Sequence, residues 1–375
     1  MGPLIRILHL ADLHLGYEPP WSGIAKARRK ERDCRLAKAV AWALQNDIDL
    51  VLIAGDLFET HRPPAELVDT VIRELDRLVE AGIGLVTVPG NHDEISYHDS
   101  VYRRERQRWP GILVENPNFE KAATIHCRGM PVHIYSLAYT SGLTRTHPPL
   151  SAFPRSDEAG FHIALLHGSL DWDRGDRSLP IDGKSLEQSG YDYVALGHIH
   201  QHMVRGKRPP IVYAGMIDGK HFDDPGVGGY TVVTLDAAGA SVALEPAGDV
   251  RPLLTLSVDA GLYDTYEELV QAVRADLPRE AAVRLVVTGT PGFSLSPERL
   301  ARALEPLAYY VEAVDETLGL ADELIQQLAL EPTVRGAFVR RMGARLVAAS
   351  PDEEKLIRRA LLRGLQALAG EEARR

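Results

Sequence analysis

Asp12 and His14, Asp56, Asn91 and His92, His167, and His198 with His200 stand in five short stretches of the chain. In order these read Asp12-Leu13-His14, Gly55-Asp56, Gly90-Asn91-His92-Asp93, His167-Gly168 and Gly197-His198-Ile199-His200. Their donors are carboxylate, amide and imidazole, with no thiolate among them. Such a set suits two harder divalent ions bridged by one carboxylate, the arrangement that activates water against phosphate esters. An isolated Asp-x-His or His-x-His is a weak signal, because buried histidines often do no more than satisfy hydrogen bonds. Gly-Asn-His-Asp after a strand and a proline is much rarer, and packing does not explain an Asn ligand beside a His. Gly55 and Gly90 permit the close backbone approach of tight metal loops. Together, in this order, the five stretches point to a paired-metal phosphoesterase.

Elements must bring these residues to one place. Most of the stretches follow a short run of Leu, Ile and Val, which reads as a buried parallel strand. In open α/β sheets ligands sit at the carboxyl ends of strands, so five such ends can converge on one crevice. Residues 4–11, 50–54 and 83–88 read as strands, separated by helices over 24–45 and from Pro63 and Pro64 to about residue 80. On a strand extension Asp12 and His14, two apart, point to one side and can grip one ion together, and His200 relates to His198 by the same spacing. From residue 111 the strands shorten: 112–114, 132–137, 161–166, 191–196, 211–213 and 230–235. That mixture implies a second sheet packed on the first, with helices outside both. A junction falls near residues 247–249. Beyond it, strands over 253–258 and 283–288 and helices over 266–275 and 296–304 make a small α+β module. From residue 321 the sequence reads as helical, with a good helix start at Ser350-Pro351-Asp352-Glu353.

A chain of 375 residues exceeds one ordinary domain, and 45% hydrophobic with 25% charged residues is enough to bury a sizeable core. Cys34 and Cys127 are too few for a disulfide framework. The first ten residues do not divide into charged, apolar and cleavage regions, and no run approaches the ~20 apolar residues of a membrane span, so a cytoplasmic protein without membrane contact is expected. The formal net charge of −10 argues against nucleic-acid binding over the whole surface. Two basic clusters stand out locally: Lys26, Arg28, Arg29, Lys30, Arg32 and Arg35, then Arg103, Arg104, Arg106 and Arg108. Each follows a ligand-bearing loop. They read either as solvated helix faces, interleaved with acids, or as contacts to a phosphate backbone.

The chain resembles the calcineurin-like metallophosphoesterases, and within them the SbcD-type nuclease subunits of DNA double-strand-break repair. The resemblance spans residues 4–320. It rests on His9-Leu10-Ala11-Asp12-Leu13-His14-Leu15-Gly16, Ala54-Gly55-Asp56-Leu57-Phe58, Pro89-Gly90-Asn91-His92-Asp93, Leu166-His167-Gly168 and Leu196-Gly197-His198-Ile199-His200. The fold it implies is an α/β, four-layer α-β-β-α metallophosphoesterase sandwich with a small α+β capping domain and a helical C-terminus. The expected domains are 1–248 (nuclease), 249–320 (capping, beside the active site and guiding DNA) and 321–375 (helical).

Carried over by residue, the resemblance implies one ion held by Asp12, His14, Asp56 and His200. It implies a second held by Asp56, Asn91, His167 and His198, with Asp56 bridging. His92 then faces the phosphate and is catalytic, and Asp93 is a candidate to orient it. Manganese is the expected ion, and the expected activity is metal-dependent exonuclease and endonuclease cleavage of DNA in repair. The alternative is a small-substrate phosphatase or cyclic-nucleotide phosphodiesterase. One position departs from the pattern: the histidine that often follows Gly-Asp-Leu-Phe is Glu59 here. Glu59 is expected to turn from the phosphate, with His61, or Thr60 and Arg62, taking over the contact. DNA contacts are expected from His61, Arg103, Arg104 and Arg106. In the C-terminal region Leu356, Ile357, Ala360, Leu361, Leu365 and Leu368 form one apolar stripe. It suits either packing on its own domain or, by the resemblance, docking of an SbcC-like coiled-coil ATPase. The expected partners are DNA, that ATPase and a second copy of the chain.

Overall fold

The computed structural model describes residues 4–140, 150–171, 178–224, 228–291, 293, 295–317 and 322–372. The chain forms two compact units, Met1–Arg251 and Pro252–Arg375.

The first unit runs β1 (Ile5–Leu10), α1 (Ala25–Asp33), α2 (Arg35–Gln45), β2 (Leu50–Ala54), α3 (Ala65–Glu80), β3 (Gly84–Val88), α4 (Val101–Arg104) and β4 (Ile112–Leu113). It continues with β5 (Glu120–Cys127), β6 (Met130–Ser136), β7 (Phe161–His167), β8 (Ser169–Leu170), β9 (Pro180–Ile181) and α5 (Gly183–Glu187). It closes with β10 (Tyr193–Gly197), β11 (Met203–Arg205), β12 (Ile211–Tyr213), β13 (Gly229–Asp236) and β14 (Gly239–Pro246). One six-stranded sheet has the order β14-β13-β1-β2-β3-β4 and the other β11-β12-β10-β7-β6-β5. β1, β2 and β3 are parallel neighbours, as are β7 and β10.

The two sheets pack face to face because their strands alternate. Ile163 and Leu165 of β7 and Tyr193 and Ala195 of β10 join the core that holds Ile7, Leu52 and Val86. Their neighbours Ala164, Leu166, Val194 and Leu196 point the other way, into a second core under Leu186 of α5, Phe153 and Leu179. β2, Leu-Val-Leu-Ile-Ala, is buried along its whole length, as a strand covered on both faces must be. α3 buries Leu67, Val68, Val71, Ile72, Leu75 and Leu78, one helical stripe. The mixed α/β sandwich is as expected, with a thin outer layer over the second sheet, where α5 has five residues.

The helix expected over 24–45 is two helices meeting at Cys34. α2 buries Leu36, Ala39, Val40 and Ala43, whereas α1 has no large apolar residue and buries Arg28 and Arg32. The first basic cluster is correspondingly split: Lys26 and Lys30 are exposed, whereas Arg28, Arg32 and Arg35 are buried and paired within the chain. Arg28 pairs with Asp218 (2.7 Å), Arg35 with Asp218 (3.2 Å) and Asp249 (3.1 Å), and Arg32 donates to the carbonyls of Asp218 and Gly219. Buried guanidinium groups require such partners.

The second unit contains β15 (Leu253–Asp259), α6 (Tyr266–Asp276), β16 (Ala282–Thr288), α7 (Pro297–Leu304), β17 (Tyr310–Asp315), α8 (Asp322–Ala329), α9 (Val334–Val347) and α10 (Pro351–Glu372). Its sheet, β15-β16-β17, is parallel and shares a core with α6 and α7. α8, α9 and α10 pack on one another around Val339, Met342, Leu361 and Leu365. Part of the C-terminal stripe is therefore spent inside this cluster, while Leu356 is 69% exposed. No helix among the described residues is long and apolar enough to cross a membrane.

Candidate metal centre

The residues after β1 do not extend the strand. Asp12 has φ 55° and His14 φ 47°, so both lie in the left-handed region, as do Asp56 (49°) and His198 (101°). The other non-glycine residues there, among those described, are Asp47, Arg128 and Asp171. Left-handed backbone in non-glycine residues is uncommon and gathers at functional sites. Here it is held by a lacing of main-chain bonds. Asp12 N–H donates to the Gly55 carbonyl (3.1 Å), His14 N–H to that of Asp56 (3.0 Å) and Leu15 N–H to that of Leu57 (2.9 Å). Asp12 and His14 thus do reach one place, by turned backbone rather than by strand alternation.

Glycine makes the approach possible at two points. Gly55 has φ 87°, and a Cβ on it would fall 2.3 Å from His167 Nδ1. At Gly90 a Cβ would fall 2.1 Å from Asp56 Oδ1. Any side chain at either position displaces a candidate ligand.

Asp56 sits in the middle of the cluster, 2% exposed. Its Oδ2 is 3.5 Å from His167 Nε2 and 3.7 Å from His14 Nε2, and its Oδ1 accepts the His92 N–H at 2.8 Å. Asn91 Oδ1 lies 3.0 Å from both His167 Nε2 and His198 Nδ1. Asp12 accepts the His198 N–H at 3.0 Å. Ligand atoms of Asp12, His14 and His200 lie within 4.8 Å of one another, as do those of Asp12, Asp56 and His167. The seven expected donors are therefore brought together.

The electrostatics suit cations. Burial acts against charge on Asp56, but His167, His14 and His92 beside it hold its carboxyl well below the usual carboxylate range. Burial raises the Asp12 carboxyl. Burial would keep His167 neutral, yet the Asp56 carboxylate beside it raises the imidazole to about 9. A proton on His167 thus stands where a metal's positive charge would be. His14 and His198 are lowered by burial to about 3 and stay neutral, the form that binds metal. His14 Nε2 is buried without a hydrogen-bond partner, and a buried imidazole nitrogen left so is expected to have a ligand. Donor chemistry, spacing and this orphaned nitrogen all fit divalent ions.

Four neighbours of the centre, Asp93, Glu59, Lys220 and Asp224, differ from, or add to, the sequence expectations. Asp93 does not orient His92: its carboxylate accepts from Gly90 N–H (2.7 Å), Phe58 N–H (3.0 Å) and the Tyr102 hydroxyl (2.7 Å), and so braces the loop. His92 Nδ1 instead lies 3.1 Å from the Glu59 carbonyl. The Glu59 carboxylate lies against His14 Nδ1 (2.8 Å) and Lys220 (2.8 Å). His200 Nδ1 meets Asp224 Oδ1 at 2.7 Å. Neither Lys220 nor Asp224 falls in a recognisable motif, and nothing short of the folded chain signals them. Each residue expected to contact DNA has a neighbour within the chain. His61 stacks on Tyr97 (4.1 Å), Arg103 donates to the Ile95 carbonyl (2.6 Å), and Arg106 pairs with Glu115 (2.8 Å) while Arg104 is 3.7 Å from Glu105.

The sequence pattern of the calcineurin-like phosphoesterases matches residues 5–202. The chain is 27% identical over 344 residues to the uncharacterized metallophosphoesterase YhaO of Bacillus subtilis, covering 87% of this chain and 81% of that protein. It is 28% identical to the DNA double-strand break repair protein Mre11 of Aeropyrum pernix over 68% of this chain, and 25% identical to that of Methanopyrus kandleri over 52%. These two alignments span 64% and 44% of the Mre11 proteins' own lengths.

Proposed function

We propose that this chain, which belongs to the calcineurin-like phosphoesterase family, is a dinuclear-metal phosphodiesterase that cleaves DNA. The observation that carries the reading is the gathering of seven donors about one buried carboxylate, Asp56. On this reading Asp12, His14, Asp56 and His200 hold one ion, and Asp56, Asn91, His167 and His198 the other. Manganese is the proposed ion, because imidazole, amide and carboxylate suit a harder first-row cation. Bound there, the ions supply the charge that activates water and neutralises phosphate oxygens.

The chain's own residues do the rest. His92 is fixed by its N–H on Asp56 and by Nδ1 on the Glu59 carbonyl. A carbonyl only accepts, so Nδ1 carries a proton and Nε2 is the free end. As an imidazolium, that end donates to a phosphate oxygen or protonates the leaving group. Its side chain is 36% exposed, enough to meet substrate.

DNA as substrate is supported by the His9–Gly16 string and by likeness to proteins named for double-strand break repair. One observation favours the small-substrate alternative: Arg28, Arg32 and Arg35 are turned inward onto Asp218 and Gly219, which leaves fewer cations for a duplex backbone. Linear duplex DNA and bis(p-nitrophenyl) phosphate, each with Mn²⁺ and with EDTA, separate the two. EDTA-sensitive cleavage of both supports the proposal. Hydrolysis of the small diester with the duplex left intact would transfer the reading to a small substrate.

A further inference from the structure

A short segment after β12 reaches the centre twice. Asp224 Oδ1 lies 2.7 Å from His200 Nδ1, while its Oδ2 accepts the main-chain N–H of Lys220 (2.7 Å) and His221 (2.8 Å). Lys220 is 5% exposed, with Nζ 2.8 Å from Glu59 Oε2 and 4.5 Å from the Tyr17 ring centroid. The same Glu59 oxygen lies 2.8 Å from His14 Nδ1. From behind, the segment is pinned by Arg28 and Arg35 on the Asp218 carboxylate and by Arg32 on two of its carbonyls.

We propose that Glu59, Lys220 and Asp224 are positioning residues that fix the ring state of His14 and His200, so that both present Nε2 to the cation they share with Asp12. The inference rests on the metal-centre reading above. His14 Nδ1 faces two groups with opposite demands, a carboxylate at 2.8 Å that needs a proton and an ammonium at 3.4 Å that needs a lone pair. The carboxylate is nearer, and its bond is charge-assisted, so Nδ1 carries the proton and Nε2 is left bare. That nitrogen is the buried one with no hydrogen-bond partner, 3.7 Å from Asp56. Asp224 imposes the same state on His200, because a carboxylate at 2.7 Å from Nδ1 again requires the proton there.

Lys220 resolves what Glu59 would otherwise disturb. His14 Nδ1, Glu59 and His92 are close enough to hold a cation of their own. The Lys220 ammonium, bonded to Glu59, already supplies that charge. The pair is neutral as a whole, so it neither repels an incoming phosphodiester nor competes for a metal ion. A lone carboxylate at residue 59 would do both.

The test uses the full chain stripped of metal. Nitrogen-15 NMR of the imidazole rings reads the tautomers of His14 and His200 directly, and Mn²⁺ titration reads the two affinities. In wild type both rings should carry the proton on Nδ1. Glu59→Ala should release His14 alone and Asp224→Ala His200 alone. Each should weaken one of the two Mn²⁺ affinities by about 10–100-fold, the usual effect of losing a ligand's supporting carboxylate, and spare the other. Glu59→Gln, which keeps an accepting oxygen, should restore most of the Glu59→Ala loss, and Lys220→Arg, which keeps the cation, should leave both affinities near wild type. Unchanged tautomers and affinities in both alanine variants would overturn the proposal. So would equal weakening of both ions with loss of the circular dichroism signal, which marks a merely structural role. A wild-type chain that binds no cation would defeat the metal-centre reading, while the tautomers would still decide whether Glu59 and Asp224 set the rings.

Discussion

Asp56→Asn removes the carboxylate that faces both His14 and His167 while leaving side-chain volume almost unchanged. Asp56 Oδ2 is 3.5 Å from His167 Nε2 and 3.7 Å from His14 Nε2, and the residue is 2% exposed. At about 3.5 Å, and with an effective dielectric of about 20, a pair of unit charges interacts by ~5 kcal/mol. The net shift of His167 is smaller, because burial opposes the pull of Asp56, Asp12 and the Ala54 carbonyl: its imidazole is held at about 9 against an ordinary 6.5. That difference corresponds to about 3 kcal/mol. A cation placed between these side chains should lose a similar amount, or about two orders of magnitude in affinity. Mn²⁺ titration of the stripped variant should show at least one of the two sites weakened by that factor, with turnover of bis(p-nitrophenyl) phosphate below a few per cent of wild type. Circular dichroism should be unchanged, since the surrounding strands are held by the inter-sheet core of Ile7, Leu52, Val86 and Leu165. A variant that keeps two ions at wild-type affinity and near-normal turnover would refute the bridging role of Asp56.

Three further outcomes are expected. His92→Ser should keep both ions and lose about 10²–10⁴-fold in rate, because its ring supplies a proton and not a ligand; loss of metal in this variant would make His92 a ligand. Arg104→Ala with Arg106→Ala should weaken duplex binding and flatten its salt dependence while sparing the small diester, whereas equal loss on both substrates would make these arginines structural. His167, held at about 9 in the metal-free chain by Asp56 against the effect of burial, is protonated at neutral pH, so a cation must displace that proton. Mn²⁺ affinity should therefore rise with pH up to about 9 and binding should release protons, read by calorimetry in buffers of different ionisation enthalpy; an affinity flat between about pH 6 and 9 would contradict this.

The strands that carry the centre were legible because burial on both faces leaves no choice of residue. β1, β2, β3, β7 and β10 are nearly continuous runs of Leu, Ile, Val and Ala, and each ends beside a donor. β5, β11 and β14 leave no such pattern because they lie at sheet edges, where a single neighbour supplies the hydrogen bonds and solvent takes one face. The Glu120–Cys127 and Gly239–Pro246 strands are accordingly mostly polar or half-exposed. Spacing alone suggested that Asp12 and His14 act together, but not the left-handed backbone that achieves it, since local sequence does not report the lacing of residues 12–15 onto 55–57. The role of Asp93 is hidden from the sequence for a related reason. A carboxylate next to His92 in sequence is turned away from it in space, towards Tyr102 and two main-chain donors. Lys220 and the inward-facing Arg28, Arg32 and Arg35 depend on contacts across 160 or more positions, such as Lys220 to Glu59 at a separation of 161, and even Asp224 meets His200 across 24, which no periodicity encodes.

The central claim is that these seven side chains make a two-ion hydrolytic centre. The most direct test is calorimetric titration of the metal-stripped chain with Mn²⁺, following hydrolysis of bis(p-nitrophenyl) phosphate at each step. The expected result is two ions per chain, no hydrolysis before metal is added, and complete reversal by EDTA. Saturation at fewer than two ions, or hydrolysis that survives EDTA, would contradict it.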